Sequence, residues 1–129
     1  MDEINNLKDQ MPIIRLVAMP ADANAAGDIF GGWIMSQVDI AGSVVATRRA
    51  KGRVVTVAVN SFEFHQPVFI GDLISCYAEV SRVGNTSLTV DVKVYAERSR
   101  LELPIKVTQA VLTYVAVDDQ RKPRPVAKD

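Results

Sequence analysis

The 129 residues carry fifteen Lys plus Arg against fifteen Asp plus Glu, with one histidine and one cysteine. That balance excludes the basic face that nucleic acid or an anionic membrane would need, and the length predicts one domain, residues 1–129, around a single core. Cys76 rules out an internal disulfide, and the polar, acidic start lacks an apolar signal core, so a cytoplasmic location is expected.

In chain order, Ile13 to Met19 is an apolar run ended by Pro20 and predicts strand one. Ala21 to Asp28 reads as a loop. A helix follows from about Phe30 to Arg49, because Ile34, Val38, Ala41 and Val45 fall at i, i+4, i+7 and i+11. Apolar residues on its other faces predict a helix wrapped by sheet. Asp28 is its expected N-cap, Arg48, Arg49 and Lys51 suit its C-terminal dipole, and Gly52 should close it. Ile29 to Thr47 approaches membrane-spanning length, but Asp39 would cost about 2.5–3.5 kcal/mol at a bilayer centre, so no stable insertion is expected.

Beyond Gly52 the pattern turns to strands. They are Val54 to Phe64, Leu73 to Val83 with Ile74, Cys76, Ala78 and Val80 on one face, and a third centred on Leu88, Val90, Val92, Val94 and Ala96. Gly84-Asn85 suits a hairpin turn with positive φ angles. Ile105 to Val117 is apolar on both faces and so predicted central. The tail from Asp118 to Asp129 is polar and broken by proline. One long helix followed by long antiparallel strands predicts an α+β fold in which a curled sheet wraps one central helix. Such a sheet leaves part of the helix uncovered and one edge open, so a second copy is expected against it.

Asp39 is the single charge between Ile29 and Thr47. An ionised carboxylate taken out of water costs several kcal/mol unless paired, and no Lys or Arg lies within a turn of it. Its neighbours at three and four residues are Met35, Ser36, Gly42 and Ser43, and the small ones leave room beside it. Two readings stay open: a base or nucleophile in a closed site, or an Asp that bonds backbone N–H groups or faces a cavity. The other chemistry-bearing residues offer less. His65 is the only histidine and ends a strand, Ser43 lies outside a Gly-x-Ser-x-Gly elbow, and Cys76 reads as core. There is no phosphate-cradling glycine motif and no zinc spacing.

The stretch from Met19 to Gly42, MPADANAAGDIFGGWIMSQVDIAG, resembles the signature of hotdog-fold acyl-CoA thioesterases, in the branch of bacterial short-chain and cytosolic acyl-CoA hydrolases. Matching segments follow in order at Arg53-Val54-Val55-Thr56-Val57, Phe64 with Pro67-Val68, Gly71-Asp72, Val83-Gly84-Asn85-Thr86-Ser87 and Tyr114-Val115-Ala116-Val117-Asp118. The resemblance implies a hotdog fold and hydrolysis of acyl-CoA with no cofactor. It also implies a dimer whose sheets join edge to edge, often three such dimers together, and active-site roles for Asn24 and Asp39. It places the turn Gly84, Asn85, Thr86 and Ser87 near the CoA moiety, and Thr56 among the substrate-binding candidates. Arg53 and Arg82, with Lys122 and Arg124, are the cations near the matched segments for the CoA phosphates.

Thioester hydrolysis needs donors for the developing oxyanion. Gly31 and Gly32 open the helix, where backbone N–H groups lack partners and the dipole is positive, so they form a candidate oxyanion hole; close packing on a strand is the other reading. Asn24 offers an amide donor and a carbonyl acceptor to the thioester or water, or else an Asx-turn in the loop. Asp39 lies seven to eight residues past the glycine pair, about 10–12 Å along the axis, too far for one carbonyl to touch both. An antiparallel partner helix would bring its own Asp39 beside Gly31. The site is therefore expected to be shared. Two other functions remain: a hotdog hydratase or dehydratase, which typically needs a His working with a carboxylate, and a non-catalytic acyl-CoA-binding module.

Overall fold

The computed structural model describes residues 7, 10–99 and 102–128. Apart from Leu7, the first eight residues, on which the expected absence of a signal core rests, lie outside the described residues, as does Asp129 at the end of the tail. The elements are β1 (Ile14–Val17), a 3-10 turn (Pro20–Asp22), α1 (Gly31–Ala50), β2 (Val54–Phe64), β3 (Leu73–Val83), β4 (Ser87–Glu97) and β5 (Ile105–Ala116). The strands form one antiparallel sheet in the order β1-β3-β4-β5-β2, and α1 touches β2, β3, β4 and β5.

Alternation fixes which face of each strand meets the helix. Leu88, Val90, Val92, Val94 and Ala96 of β4 all have no exposed surface, as period-2 patterning requires of the strand beneath the helix. Ala110, Leu112, Tyr114 and Ala116 do the same on β5, which lies between β4 and β2 as its two-sided apolar character predicted. From α1, Ile34, Val38 and Ala41 of the expected stripe are buried and Val45 packs against them, joined by Gly42, Ala46 and Ala50. A smaller cluster of Ala50, Leu88, Ala116 and Val126 seals the far end of the helix.

Several local expectations are corrected. β1 spans only Ile14–Val17, because Pro20 starts a 3-10 turn rather than simply ending a strand. The N-cap of α1 is Phe30 and makes no side-chain cap bond; Asp28 instead belongs to the loop, donating its N–H to Asn24 Oδ1. At the other end Lys51, not Gly52, takes the left-handed conformation (φ 57°). The residue at 52 is small because the Arg124 guanidinium occupies the space a Cβ would fill, and Arg124 donates to the Ala50 carbonyl at 2.9 Å and to that of Val117 at 3.2 Å. The turn at Gly84-Asn85 contains no positive φ. It is held by Gly84 N–H to Ser87 O at 2.8 Å and by the tail, whose Val126 N–H donates to Asn85 O at 2.8 Å. As expected of a curled sheet, part of the helix is left uncovered within the chain, where Met35 is 41% and Ile40 51% exposed.

Candidate active site

The loop before α1 is built around Asn24. Its Oδ1 accepts the N–H groups of Ala26 at 2.9 Å and Asp28 at 3.1 Å, which also identifies the oxygen of the amide. The Asx-turn reading and the ligand reading therefore hold different atoms of one side chain. The carbonyl is spent on the loop, and Nδ2 is left as a donor. Asn24 and Gly31 line the same 390 Å³ cavity, together with Ile34, Phe64, His65 and Val68. Pro67 also lines it, and the segment it opens is pinned by two charged side chains. Asp72, 3% exposed, accepts the Phe69 N–H at 2.9 Å and pairs with Arg98 Nε at 3.4 Å, while Arg98 donates to the Pro67 carbonyl at 2.6 Å and lies over the Phe69 ring.

The glycine pair divides. A Cβ on Gly31 would stand 3.1 Å from Phe64 Cζ, so that glycine lets the ring close over the start of the helix. Gly32 meets nothing within 4 Å and lines a second cleft, of 350 Å³, with Met35, Asp39, Thr56, Val59, Phe62 and Leu112. Within one chain, then, Asn24 and Gly31 share one hollow and Asp39 occupies another. Phe62 and Phe64, whose rings are 4.9 Å apart, stand at the boundary between the two.

Asp39 is half-buried in this cleft rather than enclosed, because it lies on the flank of α1 that β2 only borders. Among the described residues neither a cation nor a backbone N–H satisfies its carboxylate. Thr56 Oγ1 donates to its Oδ1 at 2.7 Å, and the Tyr114 hydroxyl reaches the same Oδ1 at 3.0 Å and the Asp39 carbonyl at 2.8 Å. Thr56 and Tyr114 are direct cross-strand partners on β2 and β5, which is why both hydroxyls arrive at one oxygen. Oδ2 has no partner among the described residues. The room that the small residue at 42 leaves beside the carboxylate is filled by the Tyr114 hydroxyl, which a Cβ there would overlap. Burial, and then the Asp39 carboxylate, push the Tyr114 hydroxyl well above its ordinary range, so at neutral pH it is a donor.

The residues assigned to CoA gather at the other end of the helix from Asn24. Arg53 immediately precedes β2 and accepts the Val117 N–H through its carbonyl, Thr86 O accepts the Ala116 N–H, and Arg82 faces Thr89 at the same end of the sheet. Arg53 and Arg82 are exposed, whereas Arg124 is committed to the end of α1 and Lys122 sits in a turn around Asp118. Thr56 is spent on Asp39. Cys76 is buried core, its thiol pushed up to about 12 by desolvation, and so inert. His65 lines the Asn24 cavity and pairs with Glu63 at 3.1 Å, a strand-end residue at a mouth rather than a member of a triad. Tyr114 is the contact that sequence reasoning passed over. A tyrosine on the inward parity of β5 must find a partner for its hydroxyl, and Asp39 is the charged group on the facing helix.

Among the described residues, no group of three or more His, Cys, Asp or Glu is arranged to hold a metal ion, and no helix is long and apolar enough to cross a membrane. The family model of the thioesterase superfamily matches residues 26–103. The acyl-CoA thioester hydrolase YciA of Salmonella typhimurium is 45% identical over 130 residues, covering 98% of this chain and 97% of its own length. A hexameric hotdog-fold thioesterase of Campylobacter jejuni superimposes with a TM-score of 0.86 at 47% identity, over 92% of each chain. An acyl-CoA hydrolase from Staphylococcus aureus, solved in complex with butyryl coenzyme A, coenzyme A and coenzyme A disulfide, superimposes with a TM-score of 0.83 at 30% identity, over 88% of this chain and 69% of that one.

Proposed function

The chain belongs to the thioesterase superfamily, has the hotdog fold and is an acyl-CoA thioester hydrolase; from that premise we propose that it works at a site shared between two subunits. One subunit supplies Asn24 Nδ2 and the Gly31 N–H, with Gly32 beside it, and the other supplies Asp39. The observation that supports this reading is the division of the candidates between two hollows, with the open flank of α1 and the edge strand β2 beside the carboxylate.

The chemistry follows from the groups. Asp39 Oδ2 takes a proton from water as the water oxygen bonds to the thioester carbon, or attacks that carbon itself. The negative charge that develops on the carbonyl oxygen is received by the Gly31 N–H, at the positive end of α1, and by Asn24 Nδ2. Collapse breaks the C–S bond, and CoA leaves as a thiolate whose conjugate acid is acidic enough, with a pKa of about 8.5 for an ordinary thiol, to need little protonation in flight. Water and these side chains complete the reaction without a cofactor. The partner's Arg53, Arg82 and the turn Gly84, Asn85, Thr86 and Ser87 accompany its Asp39 and hold the CoA carrier.

The whole chain serves as one such unit, paired through β2 and α1 into dimers that assemble in threes. The Campylobacter jejuni relative is hexameric, which supports that arrangement. The test of the activity is release of free thiol from acetyl-, butyryl- and longer acyl-CoA, followed with a thiol reagent. Turnover on at least one chain length is the expected result. Saturable binding of acyl-CoA without thiol release would establish the binding-module reading instead.

A further inference from the structure

We propose that Tyr114 is a positioning residue for the reaction: its hydroxyl, admitted beside the helix by Gly42, clamps Asp39 so that Oδ2 alone is presented to substrate. This rests on the role of Asp39 proposed above. The buried Tyr114 ring reaches from β5 to the helix, and its hydroxyl bridges two atoms of one residue, the Asp39 carbonyl at 2.8 Å and Oδ1 at 3.0 Å. A bridge from the main chain to the end of the side chain fixes the Asp39 rotamer, which a single bond to either atom would not do. Thr56 takes the remaining approach to Oδ1 at 2.7 Å. Ser43, four residues further along the helix, is turned away to the Ile40 carbonyl at 2.7 Å and does not compete.

Gly42 belongs to the same device. Any Cβ at that position would occupy the place of the Tyr114 oxygen, so the hydroxyl and a side chain at 42 exclude each other. Losing that donor frees the carboxylate to turn away from the approach of substrate, so the step after binding suffers and binding itself does not. A tyrosine that only filled the core would have no such effect.

The experiment compares Tyr114→Phe with Gly42→Ala and the double variant. Tyr114→Phe keeps the ring, and kcat is expected to fall about 10–100-fold with KM for acyl-CoA changed by less than about threefold. Gly42→Ala, which keeps the hydroxyl but displaces it, should lower kcat with the same small change in KM. Because both changes break one contact, the double variant should be no slower than Tyr114→Phe; multiplied losses would overturn the proposal. A wild-type kcat in Tyr114→Phe, or a loss that falls on KM instead of kcat, would overturn it too. Asp39→Asn measured alongside separates the two readings. Normal turnover in Asp39→Asn removes the premise, whereas an inactive Asp39→Asn beside an unperturbed Tyr114→Phe removes only the clamp.

Discussion

At the scale of single residues, the two oxygens of Asp39 are unlike. Oδ1 carries two hydroxyl donors and Oδ2 carries none among the described residues, so one atom holds the side chain in place and the other is left for chemistry. Asparagine at this position can still accept both hydroxyls through its own oxygen, which makes Asp39→Asn a clean removal of charge and basicity. Turnover should fall at least ~100-fold, the ordinary worth of a positioned base, with the circular dichroism spectrum and melting temperature close to wild type. A variant retaining more than a tenth of wild-type turnover would show that Asp39 is a structural carboxylate. Asn24 is divided in the same way, its oxygen held by the loop and its nitrogen left as a donor in a residue that lines the cavity.

At the scale of elements, the C-terminal end of α1 decides between two uses of a cation. Arg124 was a candidate for a CoA phosphate, but its guanidinium donates to the Ala50 and Val117 carbonyls, satisfying a helix end that otherwise relies on left-handed Lys51. Arg124→Leu should therefore lower stability by about 1–3 kcal/mol in chemical denaturation, the worth of charged hydrogen bonds to a helix terminus. The KM for acyl-CoA should stay at the wild-type value in the same variant. A raised KM with unchanged stability would return Arg124 to the substrate.

At the scale of the whole molecule, β2 is an eleven-residue strand paired on one side only, with Val57 55% exposed and the bare flank of α1 next to it. A long apolar edge of this kind is covered in a stable protein. In the proposed shared site, a second copy about a two-fold axis would cover it with the helices antiparallel and the two hollows together. Complementation tests this directly. Asn24→Ala and Asp39→Ala chains are each expected to be nearly inactive alone. Unfolded together and refolded, about half of the dimers are mixed, and one of the two sites in each mixed dimer is whole, so activity should recover to roughly a quarter of wild type for isologous pairing. Full reassortment by mass spectrometry with no recovered activity would place Asn24 and Asp39 in one site of one chain.

The sequence by itself determined the elements and the order of the argument. The strand limits at Val54–Phe64 and Leu73–Val83 and the buried face of β4 were legible, because period-2 alternation needs no knowledge of what lies opposite. Asp39 was legible as an anomaly, a charge in an apolar helix. What held it was not, since Thr56 and Tyr114 are 17 and 75 residues away and meet it only after β5 pairs with β2 beneath the helix. Local cap rules also misplaced the ends of α1, because the space at Gly52 is set by Arg124, a residue delivered by the tail. The assignment of Gly31 and Gly32 to different hollows likewise waited on the tertiary structure. Local pattern fixes which face of an element is apolar, but a hydrogen-bond partner is chosen by packing between elements remote in sequence.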